Sequence, residues 1–263
     1  MSRPLLLLVD DAPEIAIIVR KLCQQTGPEV VSRLDAESAW DYLNSRDAAP
    51  GEAEPRRPDL LLLDLNLPGL GGIDLCKRVR AEERLVSLPV ALFSHWDRTE
   101  DIAAALEAGT DYIISKDLLC QPAAWRERID EILDPAHGRS IHALLSCSEA
   151  QDLPPSPEQW LDSLCQAFRH PTVRQLGPEI LAVLARRALQ QVGSSLPKEW
   201  LTADRFNLDF QNVAHADRPQ AEAVFWVALA GQLWRLLGNA ASAPFRSALA
   251  TAVPSLSQVF AVT

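Results

Sequence analysis

Asp10, Asp11, Asp64, Ser94 and Lys116 share one feature: each closes or directly follows a short, mainly apolar run. Asp10 and Asp11 follow Leu5 to Val9, Asp64 follows Leu60 to Leu63, Ser94 ends Pro89–Ser94, and Lys116 follows Tyr112–Ser115. Three carboxylates gathered in one small site repel one another and invite a hard divalent cation. Mg²⁺ suits such a set, because it takes oxygen ligands and keeps waters that phosphate oxygens can replace. Asp64 in that setting is a candidate nucleophile toward phosphorus, since aspartyl-phosphate is an established covalent intermediate. Mg²⁺ would neutralise charge on the transferred phosphoryl group. Lys116 supplies a point cation and Ser94 a hydroxyl donor. Taken singly, each has a plainer explanation: an aspartate after a strand often only caps the next helix. Their recurrence at successive strand ends is the specific signal.

The elements that must position these residues alternate regularly. A continuous apolar run suggests a strand buried on both faces, as in a parallel sheet. Pro13 opens an amphipathic helix to Gln25, with Ile15, Ile18 and Leu22 on one face, and Gly27-Pro28 stops it. Val30-Val31 begin a second strand, and Ala36–Arg46 reads as a helix. Residues 48–58 form a polar, proline-rich loop before the strand Asp59–Leu65. Glycines and a proline at 68–72 mark turns, followed by a helix from about Ile73 to Arg84. A fourth strand (Pro89–Ser94), a helix (Arg98–Ala108), a fifth strand (Tyr112–Ser115) and a helix (Pro122–Leu133) complete the series. Such alternation predicts a doubly wound five-stranded parallel α/β sheet with right-handed crossovers. Ligands of open parallel sheets bind beyond the carboxyl ends of the strands, where the five residues above converge.

The charge divides unevenly. Residues 1–135 hold 25 acidic against 15 basic side chains, and 136–263 hold 10 of each, so the net −10 belongs to the first part. Overall, 48% of residues are hydrophobic, yet no run approaches the roughly 20 residues a bilayer span needs. The run Leu5 to Val9 is too short for a signal peptide. Five scattered cysteines without a CxxC pair predict reduced thiols and a cytoplasmic protein.

With Leu-Val-Asp-Asp-Ala-Pro-Glu (8–14), the leucine run with Asp64 and Leu-Asn-Leu-Pro-Gly-Leu-Gly-Gly (60–72), Phe-Ser (93–94), Glu-Ala-Gly-Thr-Asp-Tyr (107–112) and Ser-Lys-Asp (115–117), residues 5–134 resemble the receiver domain of two-component response regulators, a flavodoxin-like fold. The resemblance implies that Asp64 accepts phosphate from a histidine kinase or phosphotransfer protein. It implies Mg²⁺ held at the acidic pair Asp10 and Asp11, with Asp11 and Asp64 as direct side-chain ligands and the backbone carbonyl of Asn66 as a third. Ser94 corresponds to the hydroxyl residue that moves onto the phosphoryl group, and Lys116 to the lysine that pairs with it.

Three features depart from the family pattern. Asp117 stands where proline commonly follows the lysine. His95 and Trp96 stand where the residue after the switch hydroxyl is normally small. Ile113 occupies the position of the switch aromatic, and Tyr112, one residue earlier, should face the other side of the strand. Phosphorylation is then expected to reshape the fourth-helix, fifth-strand, fifth-helix face without an aromatic ring swinging inward.

From residue 140 the pattern is helical. Ser156–Gln159 has a capping-box form, followed by Trp160, Leu161, Leu164 and Phe168 on one face. Gly177-Pro178 opens a helix carrying Ile180, Leu181, Leu184 and Leu189, and residues 219–237 are apolar nearly all round. The last seven residues could close as a strand. The expected organisation is a receiver over 1–135, a linker over 136–156 and a mainly α-helical output domain of four to six helices over 157–263. Arg186-Arg187 is the only basic pair there, which argues against nucleic-acid binding. His137, His142, Cys147 and Cys165 match no standard zinc spacing, and Asp217 of His215-Ala216-Asp217 more simply caps a helix. The expected function is a phospho-acceptor signalling switch, not an enzyme, whose helical domain acts through an unidentified protein partner or homodimerisation. Two rivals remain: an unrecognised enzyme gated by the receiver, and a degenerate receiver serving as a constitutive interaction module.

Overall fold

The computed structural model describes residues 3–24, 27–45, 56–95, 98–135, 137–138, 176–192, 224–225 and 227–238. The chain divides into two compact units, Met1–Asp134 and Pro135–Thr263.

The first unit follows the order β1 (Leu5–Val9), α1 (Pro13–Leu22), β2 (Glu29–Arg33), α2 (Ala36–Asn44), β3 (Leu60–Leu63), α3 (Gly72–Ala81), β4 (Val90–Ser94), α4 (Thr99–Ala108), β5 (Tyr112–Ser115), a short 3-10 helix (Lys116–Cys120) and α5 (Pro122–Leu133). The five strands form one sheet in the order β2-β1-β3-β4-β5, with every pairing parallel. Every residue of β1, β3 and β4 is buried, which is why their sequences show no alternation. The alternation survives in three dimensions. Leu7, Val9, Leu61, Leu63 and Val90 pack with Ala36, Ala39, Leu75 and Val79 of α2 and α3. Leu6, Leu8, Leu60, Leu62, Ala91 and Phe93 pack on the opposite face with Ala16 and Val19 of α1 and Trp125 and Ile129 of α5. Successive strand residues point to opposite faces, so one leucine run serves two cores.

The sequence-derived elements of the first unit all appear; β5 and α5 keep their expected bounds, and α1, α2, α3 and β3 end earlier. In α1 the apolar face is corrected: Ala16, Val19 and Cys23 form its buried centre, with Ile15 and Leu22 at the flanks. Ile18 is 39% exposed because, at 100° per residue, it falls outside the flank that Leu22 defines. The helix ends at Leu22, not Gln25. Helix α2 starts on an N-cap, Asp35, whose side chain accepts from the Ser38 N–H, and it ends at Asn44. Helix α3 stops at Ala81 because the following turn folds Leu85 and Leu88 back into the core.

In the second unit, α6 (Gly177–Val192) buries Ile180, Val183, Leu184, Ala185 and Ala188. Residues 227–238 are helical, and the consecutive Val227, Ala228, Leu229 and Ala230 are all buried. Four consecutive buried positions span the whole circumference of a helix, so this segment is enclosed on all sides. Residues 137–138 are helical as well. Most of the expected linker, the capping box at 156–159, His142, Cys147, Cys165, the triplet at 215–217 and the closing strand lie outside the described residues, so the helix count does too. No helix among the described residues is long and apolar enough to cross a membrane.

Candidate functional site

The carboxyl ends of β1, β3, β4 and β5 lie side by side because the strands are parallel and paired in register. Val9 pairs with Leu63, and Ser94 with Ser115. The chain then turns at each end, leaving Asp10 and Asp11, Asp64, Ser94 and Lys116 at the mouths.

Asp10 is buried at the end of β1. Its Oδ1 accepts from the Ala12 N–H at 3.0 Å, which shapes the turn before α1, whose N-cap is Ala12 and not an aspartate. Its Oδ2 lies 2.9 Å from Lys116 Nζ, an ion pair without an aligned hydrogen bond. Asp64 is buried at the end of β3, its N–H donating to the Val9 carbonyl at 2.9 Å. Lys116 Nζ also donates to Asp64 Oδ2 at 3.0 Å and lies 5.5 Å from the centre of the Phe93 ring. Asp11 is exposed beside them. One carboxylate oxygen each from Asp10, Asp11 and Asp64 can be chosen so that all three lie within 4.8 Å of one another.

Burial is the main influence pushing the Asp10 carboxyl above the ordinary 3.8, and the Asp64 charge adds to it. The Lys116 ammonium and the Ala12 amide oppose the rise without cancelling it. For Lys116, burial disfavours the ammonium, but its close contacts with the Asp10 and Asp64 carboxylates outweigh it and hold the group above its ordinary 10.5. One ammonium thus bridges two carboxylates of a three-carboxylate cluster. An all-oxygen donor set with excess negative charge and a buried, poorly satisfied Asp10 oxygen fits a divalent cation such as Mg²⁺.

Ser94 is buried, and its hydroxyl donates to the backbone carbonyl of His95 at 3.1 Å. Asn66 is exposed in the turn between β3 and α3. That turn is pinned in two places. Gly69 takes a φ of 73°, and the Leu70 N–H donates to Glu37 Oε1 at 3.3 Å. Gly72 starts α3 so close to the Asp64 carbonyl that any Cβ would collide with it.

Three contributors were not evident from sequence. Glu37 acts on the β3–α3 turn through space, and no local spacing announces it; Gly72 is legible as a turn glycine, but its approach to the Asp64 carbonyl is not. The third is a contact between two of the departures: His95 Nδ1 lies 3.4 Å from Asp117 Oδ1. Pairing of Ser94 with Ser115 places His95 and Asp117, one and two residues beyond, at the same end of the sheet. Trp96 lies outside the described residues. Tyr112 packs with Phe93 and Trp125 on the α1/α5 face, and the Arg128 guanidinium lies 5.6 Å from its ring centre. Ile113 is buried as well.

A family model described as the response regulator receiver domain matches residues 6–130. The chemotaxis protein CheY of Pseudomonas aeruginosa is 30% identical over 134 residues, covering 51% of this chain and 98% of that protein. The chain belongs to the response regulator receiver family. Its first unit is the receiver domain of a two-component response regulator. Receivers bind Mg²⁺ at an acidic pocket and interact with histidine kinases or phosphotransfer proteins. The receiver is also 32% identical over 124 residues to the alkaline phosphatase synthesis transcriptional regulatory protein SphR of Synechococcus elongatus, covering 47% of this chain and 45% of SphR. The chain therefore matches less than half the length of that relative. Among solved structures, the phosphorylated cyanobacterial phytochrome response regulator RcpA is 25% identical, with a TM-score of 0.44, covering 50% of this chain and 94% of that one. The receiver match stops at residue 130, and the second unit is assigned to no family.

Proposed function

We propose that this protein is a phosphorelay switch in which Asp64 accepts a phosphoryl group from the phosphohistidine of a kinase or phosphotransfer protein. The observation that carries this reading is the Lys116 ammonium bridging Asp10 and Asp64 at 2.9 and 3.0 Å inside a three-carboxylate cluster. One Asp64 oxygen forms a bond to phosphorus as the phosphorus–nitrogen bond of the donor breaks, and the electron pair leaves with the imidazole. Asp11, Asp64 and the Asn66 carbonyl are the proposed direct ligands of Mg²⁺, with Asp10 beside them. The cation would offset the charge of the transferred group. Lys116 transfers its ion pair from the carboxylates to the phosphoryl oxygens. Ser94 turns its hydroxyl from the His95 carbonyl toward the same oxygens.

The proposed organisation is a receiver over 1–135, a linker over 136–156 and a helical output domain over 157–263. The enclosed helix at 227–238 supports a packed helical output. That domain passes the signal on by protein contact or homodimerisation in the cytoplasm, without binding nucleic acid. The test is to supply acetyl phosphate or beryllofluoride with Mg²⁺ and follow mass and oligomeric state. Wild type should gain the adduct and change assembly or partner binding, and Asp64→Asn should not. A wild-type chain that gains nothing would reduce the receiver to a constitutive interaction module.

A further inference from the structure

Strands β4 and β5 end side by side, with Ser94 opposite Ser115. Beyond each end the chain carries one site residue and one departure from the family pattern: Ser94 with His95, and Lys116 with Asp117. The two departures meet. His95 Nδ1 and Asp117 Oδ1 are 3.4 Å apart, with side chains 58% and 74% exposed. The Asp117 backbone is held, because its N–H donates to Ser115 Oγ at 3.1 Å. The His95 side holds the switch residue, because the His95 carbonyl accepts the Ser94 hydroxyl at 3.1 Å.

We infer that His95 and Asp117 form a clasp that holds Ser94 away from Asp64 and so sets how readily the receiver switches; this rests on Asp64 being the phosphoacceptor. For Ser94 to reach a phosphoryl group on Asp64, its hydrogen bond to the His95 carbonyl must break and the loop after β4 must move. Movement of that loop stretches the His95 ring away from Asp117, which the 3-10 helix holds in place. The clasp therefore favours the resting state, and both residues act as positioning residues without touching the phosphoryl group. A 3.4 Å contact between two exposed side chains has a modest effect, so the clasp is a tuning device and not a lock.

Beryllofluoride with Mg²⁺, titrated calorimetrically into the full-length chain, is the probe. His95→Ala and Asp117→Ala should each bind about two- to five-fold more tightly than wild type, the range an exposed pair supports. The double variant should bind no more tightly than either single variant, since the two residues act as one unit. Asp117→Glu, which keeps the carboxylate, should return to wild-type affinity. Because both side chains are exposed, melting temperatures should stay unchanged. Single variants that bind like wild type, bind more weakly or add their effects would overturn the clasp. Wild type that fails to bind beryllofluoride would overturn the phosphoacceptor reading and the clasp together.

Discussion

Lys116 Nζ stands 3.0 Å from Asp64 Oδ2 while holding Asp10 at 2.9 Å, so one ammonium bridges two buried carboxylates at adjacent strand ends. Removing it strands both charges. Lys116→Met should lower stability by about 1–3 kcal/mol at neutral pH without Mg²⁺, because an uncompensated buried charge costs more than the pair was worth. Chemical denaturation with and without Mg²⁺ checks this: added Mg²⁺ should recover part of the loss, and an unaltered denaturation midpoint in its absence would contradict the account.

Mg²⁺ itself should stabilise the receiver by mass action. At ten times its dissociation constant, the gain is about 1.4 kcal/mol. Asp11 is exposed, so Asp11→Ala should fold normally yet lose most of this increment. Thermal melts across a Mg²⁺ series give the answer, and an equal increment in the variant would exclude Asp11 as a ligand.

The raised Asp10 carboxyl makes stability depend on pH in a defined sense. An acid whose folded value exceeds its unfolded 3.8 binds more protons when folded between those values. Its contribution is fully present below 3.8 and is lost as pH rises through the higher folded value. The stability of wild type minus that of Asp10→Asn should therefore fall as pH rises from about 4 toward neutrality. Lys116, raised above 10.5, contributes fully below that value and loses its contribution only in alkali. A wild-type-minus-variant difference that is flat across the acid range would refute the Asp10 assignment.

Gly72→Ala should disturb Asp64 directly. The new methyl group would collide with the Asp64 carbonyl, a backbone atom that cannot swing aside. The expected loss is about 1–3 kcal/mol, together with weaker beryllofluoride binding. Gly71→Ala is the control, because a Cβ there meets nothing within 4 Å. Equal behaviour of the two variants would show that the close approach is unimportant.

Tyr112 should not be the moving part of the switch. Its ring packs with Phe93 and Trp125 in the α1/α5 core, beneath the Arg128 guanidinium. A structure with beryllofluoride and Mg²⁺ should show Ser94 reoriented and Tyr112 unmoved. Rotation of Tyr112 toward the α4 side would sink this expectation.

Much of the receiver was legible in the chain itself. The unbroken leucines at 60–63 announce a strand covered on both faces, and Asp64 directly after them marks its end. Helix ends were less legible. Nothing local in Leu85 or Leu88 says that α3 must stop at Ala81 so that they can fold into the core. Ile18 was misplaced for a related reason: several neighbouring apolar residues in α1 leave the centre of the face undetermined until the sheet selects it.

By itself, the sequence determined the order of strands and helices and placed Asp10, Asp11, Asp64, Ser94 and Lys116 at strand ends. Those features follow from apolar periodicity and chain direction, which are local. Only the tertiary structure decided that Lys116 bridges Asp10 and Asp64, that Gly72 leaves room for the Asp64 carbonyl, and that His95 meets Asp117. Each of these joins residues brought together by strand pairing or helix packing. Their distances depend on sheet register and turn geometry, which no single segment of the chain contains.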